Sequence, residues 1–168
     1  MRSAVRRARP DDWATVRDLR LAGLAGAPDA FASTLAAETG RPEAEWRARI
    51  AALPWFLGSQ DGQPAGLIAA LPPDQVPDQV WHLVSMWVSL AARGTGLADR
   101  LVEAVTEHAR QAGADRVTLW VATGNERARA FYRRMGFTAT GRRQQYPREG
   151  AAALDEAEFE LKNPQRQP

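Results

Sequence analysis

Trp13, Val16, Leu19 and Leu24 fall close to one side of a 3.6-residue repeat, which predicts a helix to about Gly26. Pro10, Asp11 and Asp12 mark its start, with acidic residues favourable in the first turn. Trp46, Ile50 and Leu53 predict a second helix after Pro42, and residues 28–40 hold a short helix or a shaped loop. A third helical stripe runs from Leu97 to Ala112 and stops at Gly113, and a fourth runs from Asn125 to Met135 and stops at Gly136. Between them lie shorter apolar or alternating runs that read as strands: Ser3–Ala8, Trp55–Ser59, Ala65–Leu71, Trp81–Val88, Arg116–Ala122, Phe137–Tyr146 and Glu156–Leu161. Asp61-Gly62 predicts a hairpin between the second and third strands. The composition of Trp81–Val88 suggests burial on both faces, and strict alternation would put His82, Val84, Met86 and Val88 on one of them. Pro147–Ala153 reads as a loop, and 163–168 as a disordered polar tail after a single domain of residues 1–162. The strands 80–89 and 116–122 are joined through a helix and should be parallel neighbours, giving an α/β chain with a mixed sheet and helices on both faces.

The 168 residues can bury one sizeable core. No cysteine is present, which excludes disulfides, thiolate nucleophiles and cysteine-bound metals. The N-terminal MRSAVRRARPDD lacks the apolar centre of a signal peptide, and no apolar run reaches the length of a membrane span, so a cytoplasmic location is expected. A pI near 9.6 comes with a net charge of only +2, because Lys162 is the one lysine among 22 basic residues and arginine does not titrate below about pH 12. No basic cluster accompanies it, so nucleic acid is not an expected partner.

The most telling chemistry is Arg93-Gly94-Thr95-Gly96-Leu97-Ala98, set between a strand and a helix. Free N–H groups at a helix start, glycines that let a ligand approach, and an adjacent arginine make a site for phosphate. A Walker A loop would need Gly-Lys-Ser/Thr, which is absent, and a dinucleotide fingerprint would need glycine where Asp99 stands.

Two motifs together resemble the GNAT acetyltransferase superfamily: R-G-T-G-L-A at 93–98, and NERARAFYRRMGF at 125–137. The resemblance covers residues 80–137; Leu90, where many members have proline, is a minor departure. It implies a mostly antiparallel sheet of six to seven strands with a central parallel pair, acetyl-CoA as cosubstrate, no metal, and transfer of acetyl to an amine of a small molecule or peptide by direct attack. A non-catalytic CoA-binding module is the alternative. The turn 93–98 would bind the pyrophosphate. The backbone of Met86, Trp87 and Val88 would hold the pantetheine arm and the thioester carbonyl. Asn125, an obvious helix N-cap, would also touch the arm. Tyr132 would be the general acid that protonates the leaving thiolate, with Phe131 turned into the core. His82 stands where several members carry a glutamate base; imidazole, with a pKa of about 6.5, is a candidate for that role beside an ordered water or another carboxylate. The acceptor would be bounded by 26–41 and 146–154, where Asp29, Glu38, Glu149 and Asp155 can attract a cation or simply be surface charges. A homodimer is compatible with all of this.

Overall fold

The computed structural model describes residues 2–163. In chain order the elements are β1 (Ser3–Arg7), α1 (Trp13–Gly26), α2 (Leu35–Thr39), α3 (Glu43–Ala52), β2 (Trp55–Gln60), β3 (Gln63–Leu71), β4 (Trp81–Val88), α4 (Leu97–Gln111), β5 (Arg116–Ala122), α5 (Glu126–Arg134), β6 (Thr138–Arg148) and β7 (Ala151–Lys162). The strands form one sheet in the order β1-β2-β3-β4-β5-β7-β6. Every neighbouring pair is antiparallel except β4 and β5, the parallel pair expected from the connecting helix.

Each face of the sheet carries its own core. On one face α4 and α5 cover Ile68, Leu83, Leu119 and Phe159; the α4 stripe Leu97, Leu101, Val102, Val105 and Ala109 is buried along its length. On the other face α1 and α3 bring Val16, Leu19, Trp46 and Ile50 onto Trp55, Leu57 and Leu67. Burying side chains of this size contributes about 1.5–3 kcal/mol each, so the two helix layers hold the sheet between them.

Two segments depart from the sequence expectation. Residues 147–153 are not an open loop: β6 runs to Arg148 and β7 begins at Ala151, joined by a tight turn in which Gly150 has φ +71°. Pro147 is tolerated because β6 is the sheet edge and the register already shifts between Tyr146 and Arg148. Within 28–40 the shaped loop contains α2, capped by Thr34, whose Oγ1 accepts from Ala37 N. Of the expected tail 163–168, Asn163 is held, its backbone N–H donating to Asp115 O at 2.7 Å and its Nδ2 to Ala114 O at 3.2 Å, and 164–168 lie outside the described residues.

Candidate active site

The parallel pair is short. Trp81–Leu83 pairs with Val117–Leu119, and there the pairing ends. Beyond that point β4 follows β3 to Val88 while β5 follows β7 to Ala122. From Val84 and Trp120 onward, the two facing strand edges therefore lack a strand partner. The divergence has a local cause. Between the pairs Ala69–Val84 and Leu67–Trp87, β4 holds one residue more than β3, and Ser85 takes φ +60°. Such a bulge bends its strand and increases its twist. The left-handed conformation is uncommon for a residue with a side chain and marks a position held by its surroundings.

The extra residue also switches the faces of β4. Leu83, Met86 and Val88 belong to the α4 side, while Val84 and Trp87 belong to the α1 side. His82 is therefore not on the face of Met86 and Val88, as uninterrupted alternation required. Nor is β4 buried on both faces: only Leu83 and Val88 are, because the other side chains border cavities.

At the open end of β4 the chain makes a short turn, Leu90–Ala92, and enters α4 through Gly94 and Gly96, with φ +78° and +84°. An added Cβ would meet nothing at either glycine, so their role is conformation and open approach rather than packing. The intrahelical bond from Arg100 N reaches back to Gly96 O, leaving the N–H groups ahead of it in the first turn without helical acceptors. Arg93 folds back so that its Nε donates to Val88 O at 3.3 Å. Asp99, an anion in a turn read as anion-binding, is neutralised by a two-pronged pair with Arg134 of α5 at 2.7 and 2.8 Å. Those hydrogen bonds hold its carboxyl below the ordinary range.

A cleft of ≈ 860 Å³ joins this turn to the strand end and to α5. Of the expected cofactor residues, Met86, Trp87, Val88, Arg93, Gly94, Gly96, Ala98, Asn125 and Tyr132 line it; Leu97 is buried in the core beneath, and Thr95 donates its hydroxyl to Ala92 O. Asn125 is an N-cap, its Oδ1 accepting from Ala128 N at 3.1 Å. Tyr132 stands edge-on to Phe131 and Phe137, with ring centres 5.1 and 5.6 Å away. It is the more deeply buried of the adjacent pair, at 7% exposure, whereas Phe131 is half-buried on the cleft wall rather than in the core. Burial raises the Tyr132 phenol well above its usual pKa. Sequence reading missed Arg127 and Arg134, which with Arg93 make this cleft cationic, and Phe31 at its inner end. Their signal was absent because exposed arginines on a helix normally read as solvated surface. Helix-start N–H groups, three arginines and a free strand edge suit a pyrophosphate followed by an amide-bearing arm.

His82 lies elsewhere. It lines a second cavity, of ≈ 570 Å³, on the α1 side of the sheet, bounded by α1, α2, α3, β5 and the β6–β7 turn. Cleft and cavity share Ala30 and Phe31. His82 Nδ1 is hydrogen-bonded with Thr118 Oγ1 at 2.9 Å. Burial pushes its pKa down to about 4, with Asp78 opposing, so the ring is neutral near pH 7. Of the carboxylates expected around an acceptor, Glu38 is buried and fully engaged by Arg20 and Arg49, while Asp29 is exposed beside Arg148. Glu149 lines the cavity from its exposed rim, and Asp155 is exposed. Glu156, not singled out from sequence, lines the cavity at 6% exposure; it accepts from Gln144 at 2.7 Å, and burial raises its pKa. Only the strand pairing reveals it, since a glutamate opposite the apolar positions of an alternating strand reads as solvent-facing. Among the described residues no cluster of histidine and acidic side chains is arranged to hold a metal ion, and no helix is long and apolar enough to cross a membrane.

Comparison with known proteins agrees with this fold. The sequence model of the acetyltransferase (GNAT) family matches residues 21–137. N-acetyltransferase 8F1 of Rattus norvegicus is 34% identical over 91 residues, 53% of this chain and 41% of that protein. The 5-NmdU N-acetyltransferase of a Pseudomonas phage is 34% identical over 88 residues, 51% of this chain and 57% of that one. The matched stretch thus spans about half the length of these curated relatives. Among solved structures, a putative acetyltransferase of Salmonella typhimurium with its cofactor acetyl-CoA superposes with a TM-score of 0.78 at 18% identity, covering 100% of this chain and 98% of that one. A GNAT-family acetyltransferase of Streptococcus pneumoniae gives 0.76 at 20% identity, covering 96% and 100%. At these identities the two structures establish the fold.

Proposed function

Because this chain belongs to the acetyltransferase (GNAT) family, we propose that it moves an acetyl group from acetyl-CoA to a primary amine of a small molecule or peptide, by direct attack of the amine. The observation that carries the reading is the parting of β4 and β5 directly beside the α4 start, with Tyr132 in the same cleft. Acetyl-CoA supplies an activated thioester carbonyl, and the chain's own groups do the rest. The N–H groups of residues 93–98, with Arg93 and Arg127, hold the phosphates, while Arg134 keeps Asp99 neutralised. The free edge of β4 pairs with the amide-bearing arm, and N–H groups around Met86–Val88 stabilise negative charge on the carbonyl oxygen. Asn125 caps α5 and contributes to the arm's surroundings. Tyr132 donates its proton to the departing sulfur; burial keeps the phenol protonated throughout the neutral range.

The amine proton goes to the acceptor side of the sheet, where His82 is the proton acceptor in this reading. With its pKa at about 4, the acidic limb it contributes to a pH–rate profile lies near pH 4, not near the usual imidazole value of about 6.5. The test is acetyl-CoA binding and CoA release from an amine panel, in wild type and Gly96→Asp. The substitution strains a backbone at φ +84° and sets a negative charge beside the phosphates. Affinity should fall at least about a hundredfold, as expected for losing charge-assisted contacts worth about 3 kcal/mol. Equal affinity by calorimetry removes the phosphate assignment. Tight acetyl-CoA binding with no CoA release from any amine would instead identify a binding module.

A further inference from the structure

The cavity on the α1 side has an unbalanced charge. At its inner end Arg20 of α1 and Arg49 of α3 share one carboxylate, Glu38 of α2, and Arg41, just ahead of α3, pairs through Nη1 with Glu45 at 3.1 Å. Glu38 is saturated: Arg20 Nε and Nη2 reach its two oxygens at 3.2 and 3.0 Å, and Arg49 Nη1 adds a contact at 3.5 Å. Arg20 is only 6% exposed, yet its Nη1 is buried without an acceptor among the described residues. The same holds for Arg41 Nε and Trp55 Nε1, and all three residues line this cavity. Burial lowers the Arg49 pKa, and the neighbouring Arg41 and Arg20 charges push it the same way against Glu38. Buried cations and donors without acceptors are unfavourable until an anion supplies the missing oxygens. Across the cavity a carboxylate faces the ligand space, beside the buried Arg148, whose charge partly offsets it. Glu156 is a buried carboxylate with one hydrogen bond, from Gln144, and it sits on the same cavity wall as His82 and Ser85, beside the gap between β4 and β5.

We propose that the acceptor is a small amine that itself bears a carboxylate, an amino-acid-type zwitterion whose carboxylate is held by Arg20, Arg41 and Trp55 and whose amine lies on the Glu156–His82 side. This rests on the acetyl-transfer reading above and narrows it. Single N–H donors from two guanidinium groups and an indole can together satisfy the two oxygens of a carboxylate. The volume, ≈ 570 Å³, is that of a small-molecule site. The proposal also accounts for the pairing of Arg20 with Glu38: a fixed partner orients the guanidinium and leaves one nitrogen for the ligand.

The experiment measures CoA release with matched sets of amines: amino acids, the same molecules without the carboxylate, and their aminophosphonate counterparts. Wild type should prefer the amino acid over its decarboxylated match by at least about tenfold in kcat/KM, the scale of one charge-assisted contact. Arg41→Gln, at a half-exposed position, should raise KM for the amino acid and narrow that ratio. Equal use of both members of the pair overturns the carboxylate site while leaving acetyl transfer standing. A preference for the phosphonate overturns the carboxylate assignment as well. If no amine releases CoA, the acetyl-transfer reading fails separately, and calorimetry with amino acids on the CoA-loaded protein still decides. Heat that is lost in Arg41→Gln supports the site, and no heat in wild type overturns it.

Discussion

Tyr132 shows how a single side chain can carry two properties at once. Its ring is packed between Phe131 and Phe137, so it belongs to the core; it also lines the cleft, so it is open to the proposed cofactor. Tyr132→Phe keeps the packing and removes the proton donor. Melting temperature and acetyl-CoA affinity should stay close to wild type, while kcat falls by at least about tenfold, at or somewhat below the usual contribution of an acid catalyst. Full turnover in the variant, with chemistry shown to be rate-limiting, would exclude the phenol as the acid. The tyrosine and the glycine turn were legible in the sequence because their meaning rests on short spacing along one helix or one loop. Glu156, Arg20 and Arg127 were not. Glu156 and Arg20 take their meaning from partners on other elements, Gln144 and Glu38, and Arg127 from the cleft it lines, and nothing in their immediate neighbours distinguishes them from solvated charges.

Helices and strands were read correctly where apolar residues repeat, as in α4 and β5, and misread where one residue breaks the repeat. The bulge at Ser85 is the clearest instance. No local signal in Val84-Ser85-Met86 announces it, yet it separates the face of His82 from that of Met86. The β6–β7 hairpin was misread for the opposite reason, because Pro147 and Gly150 signal a loop while the edge position permits a strand. Trp87, just past the bulge, is fixed by α1. An added Cβ on Gly23 would lie 2.9 Å from Trp87 Cγ and 3.2 Å from two further ring atoms. Gly23→Ala should therefore force the indole to move. Overpacking costs about 1–3 kcal/mol, while alanine returns at most about 1 kcal/mol of helix propensity. The expected result is a net loss of about 1 kcal/mol in chemical denaturation, with weaker acetyl-CoA binding because the β4 edge moves with its tryptophan. A variant as stable as wild type, with unchanged affinity, would show that the contact relaxes freely.

The whole molecule should respond to acid through its buried ionisable groups, and His82 sets the main window. Its folded pKa of about 4 lies below the unfolded value of 6.5. Between those values the unfolded chain binds a proton that the native state refuses. Stability is thus present above pH 6.5, falls as pH drops, and the loss is complete below about pH 4. It amounts to about 3 kcal/mol for a shift of this size. Glu38, held low by its arginines against the effect of burial, loses stability in the same direction at lower pH; Glu156, raised by burial, contributes in the opposite sense. The melting temperature should fall by on the order of 10 °C from pH 6.5 to 4, and His82→Gln should flatten much of that slope. An identical slope in the variant would place the acid sensitivity elsewhere.

The two hollows have a consequence for traffic. Among the described residues their shared lining is Ala30 and Phe31, with one hollow on the helix-start side of the parted strands and one above the opposite face. Each reactant in the proposed transfer therefore has its own doorway, and neither has to leave for the other to enter. The thioester and the amine of the proposed transfer can be resident together, meeting where the two hollows share Ala30 and Phe31. No side chain has to store the acetyl group while one guest is exchanged for the next. The thiol and the acetylated product can likewise depart by separate routes, in either order.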